Sequence, residues 1–169
     1  MDNPILYDRI WLEIHDAKLK EVYLSRFLAK RSRTRSILDV IIVLSSVTGI
    51  AFYSIFPFVT LGSVIVTSVL SIIACCAPVV VPSEADLSAI SKTVSFYTDY
   101  VSSLERLYAR LYSGAVTLEA AESEFYALHG SVPGVEASVN RFLHRNRRRI
   151  EAAASAEADR YVNNVFKSI

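Results

Sequence analysis

Arg141, Arg145, Arg147, Arg148 and Arg149 crowd into the stretch RFLHRNRRRI, with His144 among them. On a helix Arg141, Arg145 and Arg148 follow i, i+4 and i+7 and share one face. His144 lies at its edge, and Arg147 and Arg149 flank it. Guanidinium forks match phosphate geometry, so a nucleotide or a short oligonucleotide is one ligand class for this face. Anionic lipid is a second, and a solvated basic face with no ligand is the third. Sequence-specific reading of duplex DNA is not expected, because no helix-turn-helix, zinc finger or aromatic stacking platform accompanies the arginines.

Other chemistry is sparse. His15, His129 and His144 have no companions at metal-ligand spacing, so no metal site is expected. There is no phosphate-cradling glycine loop and no recognisable nucleophile motif. Glu119, Glu122 and Glu124 form an acidic turn that reads as a solvated face. The chain is therefore expected to be no enzyme and to need no cofactor.

The elements that must position the arginines explain the composition. Net charge is only +1, yet hydrophobic residues reach 52%. Between Ser36 and Ser83 the one charged residue is Asp39. A bilayer core of about 30 Å takes about 20 helical residues, so this block holds roughly two spans. Pro57 lies near its middle and suits a break. The spans are placed at about 37–56 and 58–81, with Pro82 and Ser83 at the exit. Lys30 to Arg35 abut the first span while the short turn carries no cation, so both termini are expected in the cytoplasm. Cys75 and Cys76 are adjacent and have no other partner, which fits a reducing compartment. The N-terminus lacks the pattern of a cleavable signal peptide.

Small and hydroxyl-bearing residues mark one face of each span: Ser45, Ser46, Thr48 and Gly49 in the first, Ser63, Thr67, Ser71 and Cys75 in the second. Such faces either pack helices closely or, once several hairpins assemble, line a pore. Two helices cannot enclose a water path, so a pore requires an oligomer. Asp39, four residues after Arg35, is either an interfacial carboxylate paired with that arginine or part of a carboxylate ring at a pore mouth.

Beyond the spans, Ser83 caps a helix carrying Glu84 and Asp86 in its first turn. Its apolar positions are Leu87, Ile90, Val94, Tyr97, Val101, Leu104, Tyr108 and Leu111, a three-four alternation that demands helix association, within the chain or between subunits. Leu87, Ile90, Val94, Val101, Leu104 and Leu111 are the candidate oligomer seam. Gly114 ends the helix. A shorter helix fits 117–129, HGSVPG reads as a turn, and a last helix runs from about Val135, with Val139, Phe142, Ile150 and Ala153 on its buried side. The N-terminal segment, about 4–33, is helical and leads into the first span. The fold class is all-α: an N-terminal cytoplasmic helix (1–36), a transmembrane hairpin (37–81) and a cytoplasmic helical domain (83–169).

LYDRIWLEIHDAKLKEVYLSRFLAKRSRTR, the hairpin at 37–81 and SEADLSAISKTVSFYTDYVSSLERLYARLY together resemble SLATT-like two-transmembrane effectors of bacterial nucleotide-linked anti-phage defence. The resemblance is architectural. It implies a homo-oligomeric pore, a tetramer, in the bacterial inner membrane that dissipates membrane potential in the infected cell. The Hailong type is the nearest layout. It implies a regulatory DNA oligonucleotide made by a partner nucleotidyltransferase, with the arginine cluster as its receptor. No sensor domain is present, so these helices themselves would have to build the ligand site. A non-conducting scaffold that docks a partner through the heptad helix, or an anionic-lipid-binding protein, is the alternative.

Overall fold

Leu6, Ile10, Ile14, Ala17, Leu24 and Phe27 recur at steps of three, four and seven, which places them on one stripe of a helix. The computed structural model describes residues 4–55, 68–69, 72, 83–143 and 148–166, with side chains described for 5–40, 68–69, 72, 83–137 and 148–165. Among these residues the protein is all-helical. Helix α1 (Pro4–Ile55) runs unbroken for 52 residues, so the N-terminal helix does lead directly into the apolar run. It is followed by α2 (Glu84–Tyr112), α3 (Leu118–His129), α4 (Val132–Leu143) and α5 (Arg148–Phe166).

Capping fixes several of these limits. The Asp86 amide donates to Ser83 Oγ (3.1 Å) and the Ser83 amide donates to the Asp86 carboxylate (3.2 Å), a reciprocal box at the start of α2. At its end Gly114 takes φ +71°. The Ala115 amide then reaches Arg110 O and the Gly114 amide reaches Leu111 O, the paired bonds of a Schellman stop. Thr117 caps α3 by accepting from the Ala120 amide. HGSVPG is a shorter turn than its composition suggests. Helix α4 already begins at Val132, because Pro133 in a first turn forfeits no intrahelical bond.

Two compact units divide the chain: residues 1–28 with 88–169, and residues 29–87. In the first, the N-terminal part of α1 shares one core with the C-terminal helices and is no separate segment. Ile10, Ile14, Leu24, Ile90, Tyr97, Leu104, Leu107 and Val162 are its largest fully buried side chains. Helix α2 is its axis. Tyr100 bonds Glu13 of α1, Tyr97 bonds Glu136 of α4, Arg110 bonds Glu124 of α3, and Tyr161 of α5 bonds Glu105.

This arrangement corrects the oligomer seam. Ile90, Val101, Leu104 and Leu111 are buried against the chain's own helices, and Val94 packs partly buried on the same core, so these side chains are not free to meet a second subunit. Leu87, in the other unit, is half-buried. Because α2 is enclosed by several helices, its buried arc is wider than a two-helix seam and takes in Thr93, Tyr100 and Leu107. The buried side of α5 also differs from expectation. Ala154, Ala158 and Val162 form it, while Ile150 and Ala153 are half-buried. Their i, i+4 spacing and small size let a helix approach closely. Val139 and Phe142 have no described side chains.

In the second unit Arg35 binds Glu84 through Nη2 at 2.8 Å and stands 3.9 Å from Asp39. The sequence pairing of Asp39 with Arg35 is thus present, with Glu84 as the closer partner. Among the described residues no helix is long and apolar enough to cross a membrane. The apolar run at 37–81 falls almost wholly outside the described side chains.

Leu104→Ala removes a fully buried side chain at the axis of the first unit. The expected loss is about 2–5 kcal/mol, read as a lower midpoint in chemical denaturation followed by far-UV circular dichroism.

Candidate functional site

Two hydrogen-bonded networks bring charged side chains to the core of the first unit beside a cleft. Glu13 of α1 accepts from the Tyr100 hydroxyl at 2.9 Å and faces His129 Nδ1 at 3.3 Å. Glu136 of α4 accepts from Lys20 Nζ at 2.7 Å and from the Tyr97 hydroxyl at 3.0 Å. Lys20 also pairs with Asp16 at 2.6 Å. An open cleft of about 410 Å³ lies beside the networks, and Arg9, Glu13, Asp16, Tyr126 and His129 line it over Phe125.

The electrostatics follow from burial and pairing. Burial raises Tyr97 and Tyr100 well above the ordinary phenol range, and the adjacent Glu136 and Glu13 carboxylates add to the effect. Burial alone would also raise Glu136. The bonds from Lys20 and Tyr97 outweigh it and hold Glu136 below the usual carboxylate range. Burial would lower Lys20, yet its bonds to Asp16 and Glu136 bring it above the ordinary lysine value. Tyr161 is raised by burial and by its 2.7 Å bond to Glu105.

The cleft's groups are engaged with each other. Arg9 donates to the Tyr126 hydroxyl at 2.7 Å, Glu13 takes Tyr100 and His129, and Asp16 takes Lys20. No nucleophile stands beside a base here. Among the described residues no group of three histidine, cysteine or acidic side chains could hold a metal ion. The networks join α1 to α2, α3 and α4.

Of the arginine cluster, Arg148 and Arg149 are exposed in the first turn of α5. Arg141 belongs to α4, but its side chain lies outside the described residues, as do His144, Arg145 and Arg147. Ser45, Thr48 and Gly49 belong to α1 without described side chains, and Ser63, Thr67 and Ser71 lie outside the described residues. Asp39 is exposed beside Arg35. Sequence reasoning missed Glu13, Lys20 and Glu136. Tyr97 within the apolar seam was the one visible signal, and only for Glu136, since a buried phenol needs a partner. Comparison of the chain with protein-family models, with curated proteins and with solved structures finds no match.

These shifts set the pH range of the first unit. Tyr97 and Tyr100 are raised in the folded state, so their contribution is complete below the ordinary tyrosine pKa of about 10 and is lost as pH rises towards the raised values. Absorbance at 295 nm should show them ionising only with unfolding. Glu136 is lowered, so its contribution is present above about pH 4.3 and fades as pH falls through its folded value. Glu136→Gln should cost about 1 kcal/mol at neutral pH, a bond to a partly solvated ion pair, with the gap to wild type closing in acid.

Proposed function

We propose that this chain is a membrane-inserted, homo-oligomeric channel effector of bacterial anti-phage defence, gated by a cytoplasmic phosphate-bearing ligand. One observation carries the reading. Helix α1 belongs at its N-terminal end to a packed helical unit and continues into a run whose single charged residue is Asp39. An uncharged run of about two bilayer lengths is expensive to leave in water and cheap to place in lipid. The same helix supplies a mechanical link. A ligand that shifts the packing of residues 4–28 acts on the rod that enters the bilayer, and packed interfaces switch between discrete arrangements.

In this reading both termini lie in the cytoplasm of a cell with an inner membrane, and the assembly is a tetramer, as the SLATT-like resemblance implies. Subunit contacts run through the hydroxyl-bearing faces at Ser45, Thr48, Gly49, Ser63, Thr67 and Ser71. The ligand is an oligonucleotide made by a partner nucleotidyltransferase, held by Arg141, His144, Arg145, Arg147, Arg148 and Arg149. The burial of Ile90, Val101, Leu104 and Leu111 weighs against the scaffold reading, which needs them as a docking face.

Purified protein in liposomes should pass small ions, and short oligodeoxynucleotides should change the flux. An Arg141→Ala, Arg145→Ala, Arg148→Ala variant should bind the oligonucleotide at least tenfold more weakly. No flux at any stoichiometry, with or without ligand, would remove the channel, and equal affinity in the variant would remove the site. Asp39→Asn should shift the reversal potential under a salt gradient if the carboxylates ring the pore mouth; an unchanged potential returns Asp39 to its pairing with Arg35.

A further inference from the structure

Where α1 approaches the apolar run, its two sides differ. Arg31 is buried, Leu38 is half-buried, and Arg35, between them on the same side, is bound to Glu84. The other side carries Lys30, Arg33, Ile37 and Val40. At 3.6 residues per turn these four fall within an arc of about 80°. All four are exposed, with Ile37 51% and Val40 56% accessible. Among the described residues no acidic side chain pairs with Lys30 or Arg33, as is true also of Lys92, Arg148, Arg149 and Arg160, whereas Lys18, Lys20, Arg26, Arg35 and Arg110 have such partners. The stripe therefore passes from two uncompensated cations to two exposed branched aliphatics within about three turns, or roughly 15 Å.

We infer that Lys30 and Arg33 form a headgroup clamp for anionic phospholipid of the cytoplasmic leaflet, with Ile37 and Val40 against the acyl chains of the same lipids. The inference rests on the membrane reading above and adds a lipid class and a site to it. Charge decides the class. Each basic residue near an anionic surface gains about 1 kcal/mol, whereas a zwitterionic surface offers no such net attraction. The order of the stripe decides the depth, since phosphates lie outside the hydrocarbon and the aliphatic positions follow the cations towards it. The acidic residues of this unit do not compete: Glu84 is held by Arg35, Asp86 is engaged in the capping box with Ser83, and Asp39 lies on the Arg35 side of α1.

The test uses full-length protein, purified in neutral detergent with equal phosphatidylcholine and phosphatidylglycerol, and native mass spectrometry of the lipids retained. Wild type should favour phosphatidylglycerol about thirtyfold, the product of two contributions of about 1 kcal/mol. Lys30→Gln with Arg33→Gln should bring the ratio near one, while Lys30→Arg with Arg33→Lys should keep it. Lys92→Gln with Arg160→Gln, both exposed and outside either site, should leave it unchanged. All four positions are exposed, and far-UV circular dichroism verifies that each variant folds. No preference in wild type, or an undiminished one in the double glutamine variant, would overturn the clamp. So would an oligodeoxynucleotide that binds wild type but not that variant without lipid, since nucleic acid would then be the occupant. Extraction of wild type from phosphatidylcholine vesicles by alkaline carbonate would sink the membrane reading, and the clamp with it. A carbonate-resistant wild type lacking lipid preference sinks the clamp alone.

Discussion

The Tyr97 hydroxyl donates to Glu136, the Tyr100 hydroxyl to Glu13 and the Tyr161 hydroxyl to Glu105, and each bond joins α2 to a different helix. A carboxylate near a core is costly unless its oxygens are satisfied, and a buried phenol carries the same obligation. Each group therefore requires the other at a defined place along the helix. Apolar contacts between α2 and its neighbours tolerate sliding by part of a turn. These three bonds do not, so they fix the axial register that the hydrophobic stripe leaves loose. Salt bridges at the rim, such as His15 with Asp159 and Arg26 with Glu157, follow that register more than they set it.

Much of this architecture was legible in the sequence. Ser83, Gly114 and Thr117 act where their chemistry places them, because capping is decided within a few residues. The stripe on α1 and the three-four alternation on α2 likewise need only periodicity. What was illegible depends on distant partners. Nothing near Glu13 indicates that it meets Tyr100, and nothing near Lys20 indicates Glu136. The burial of Ala154 and Ala158 in α5 is not announced by the sequence, because small residues carry little hydrophobic signal. The seam on α2 was legible as a seam, but periodicity does not say whether the facing helix belongs to the same chain. Of the candidate ligand site, only Arg148 and Arg149 have described side chains, and both are exposed.

Helix α1 answers to two different demands along its length. From Leu6 to Phe27 its stripe is apolar and the rest is charged, the pattern of a helix against a core. Beyond Ser36 charge almost vanishes on all sides, the pattern of a helix with no aqueous face. Lys30, Arg31, Arg33 and Arg35 occupy the changeover. Arg31 is buried, Arg35 is committed to Glu84, and Lys30 and Arg33 are left outward, so the transition is itself sided.

The contact between Arg35 and Glu84 also joins distant positions of the chain. These residues are separated by 49 positions, yet they stand 2.8 Å apart. The pair ties α1 to the first turn of α2, so the loss of either partner releases both ends of the intervening run at once.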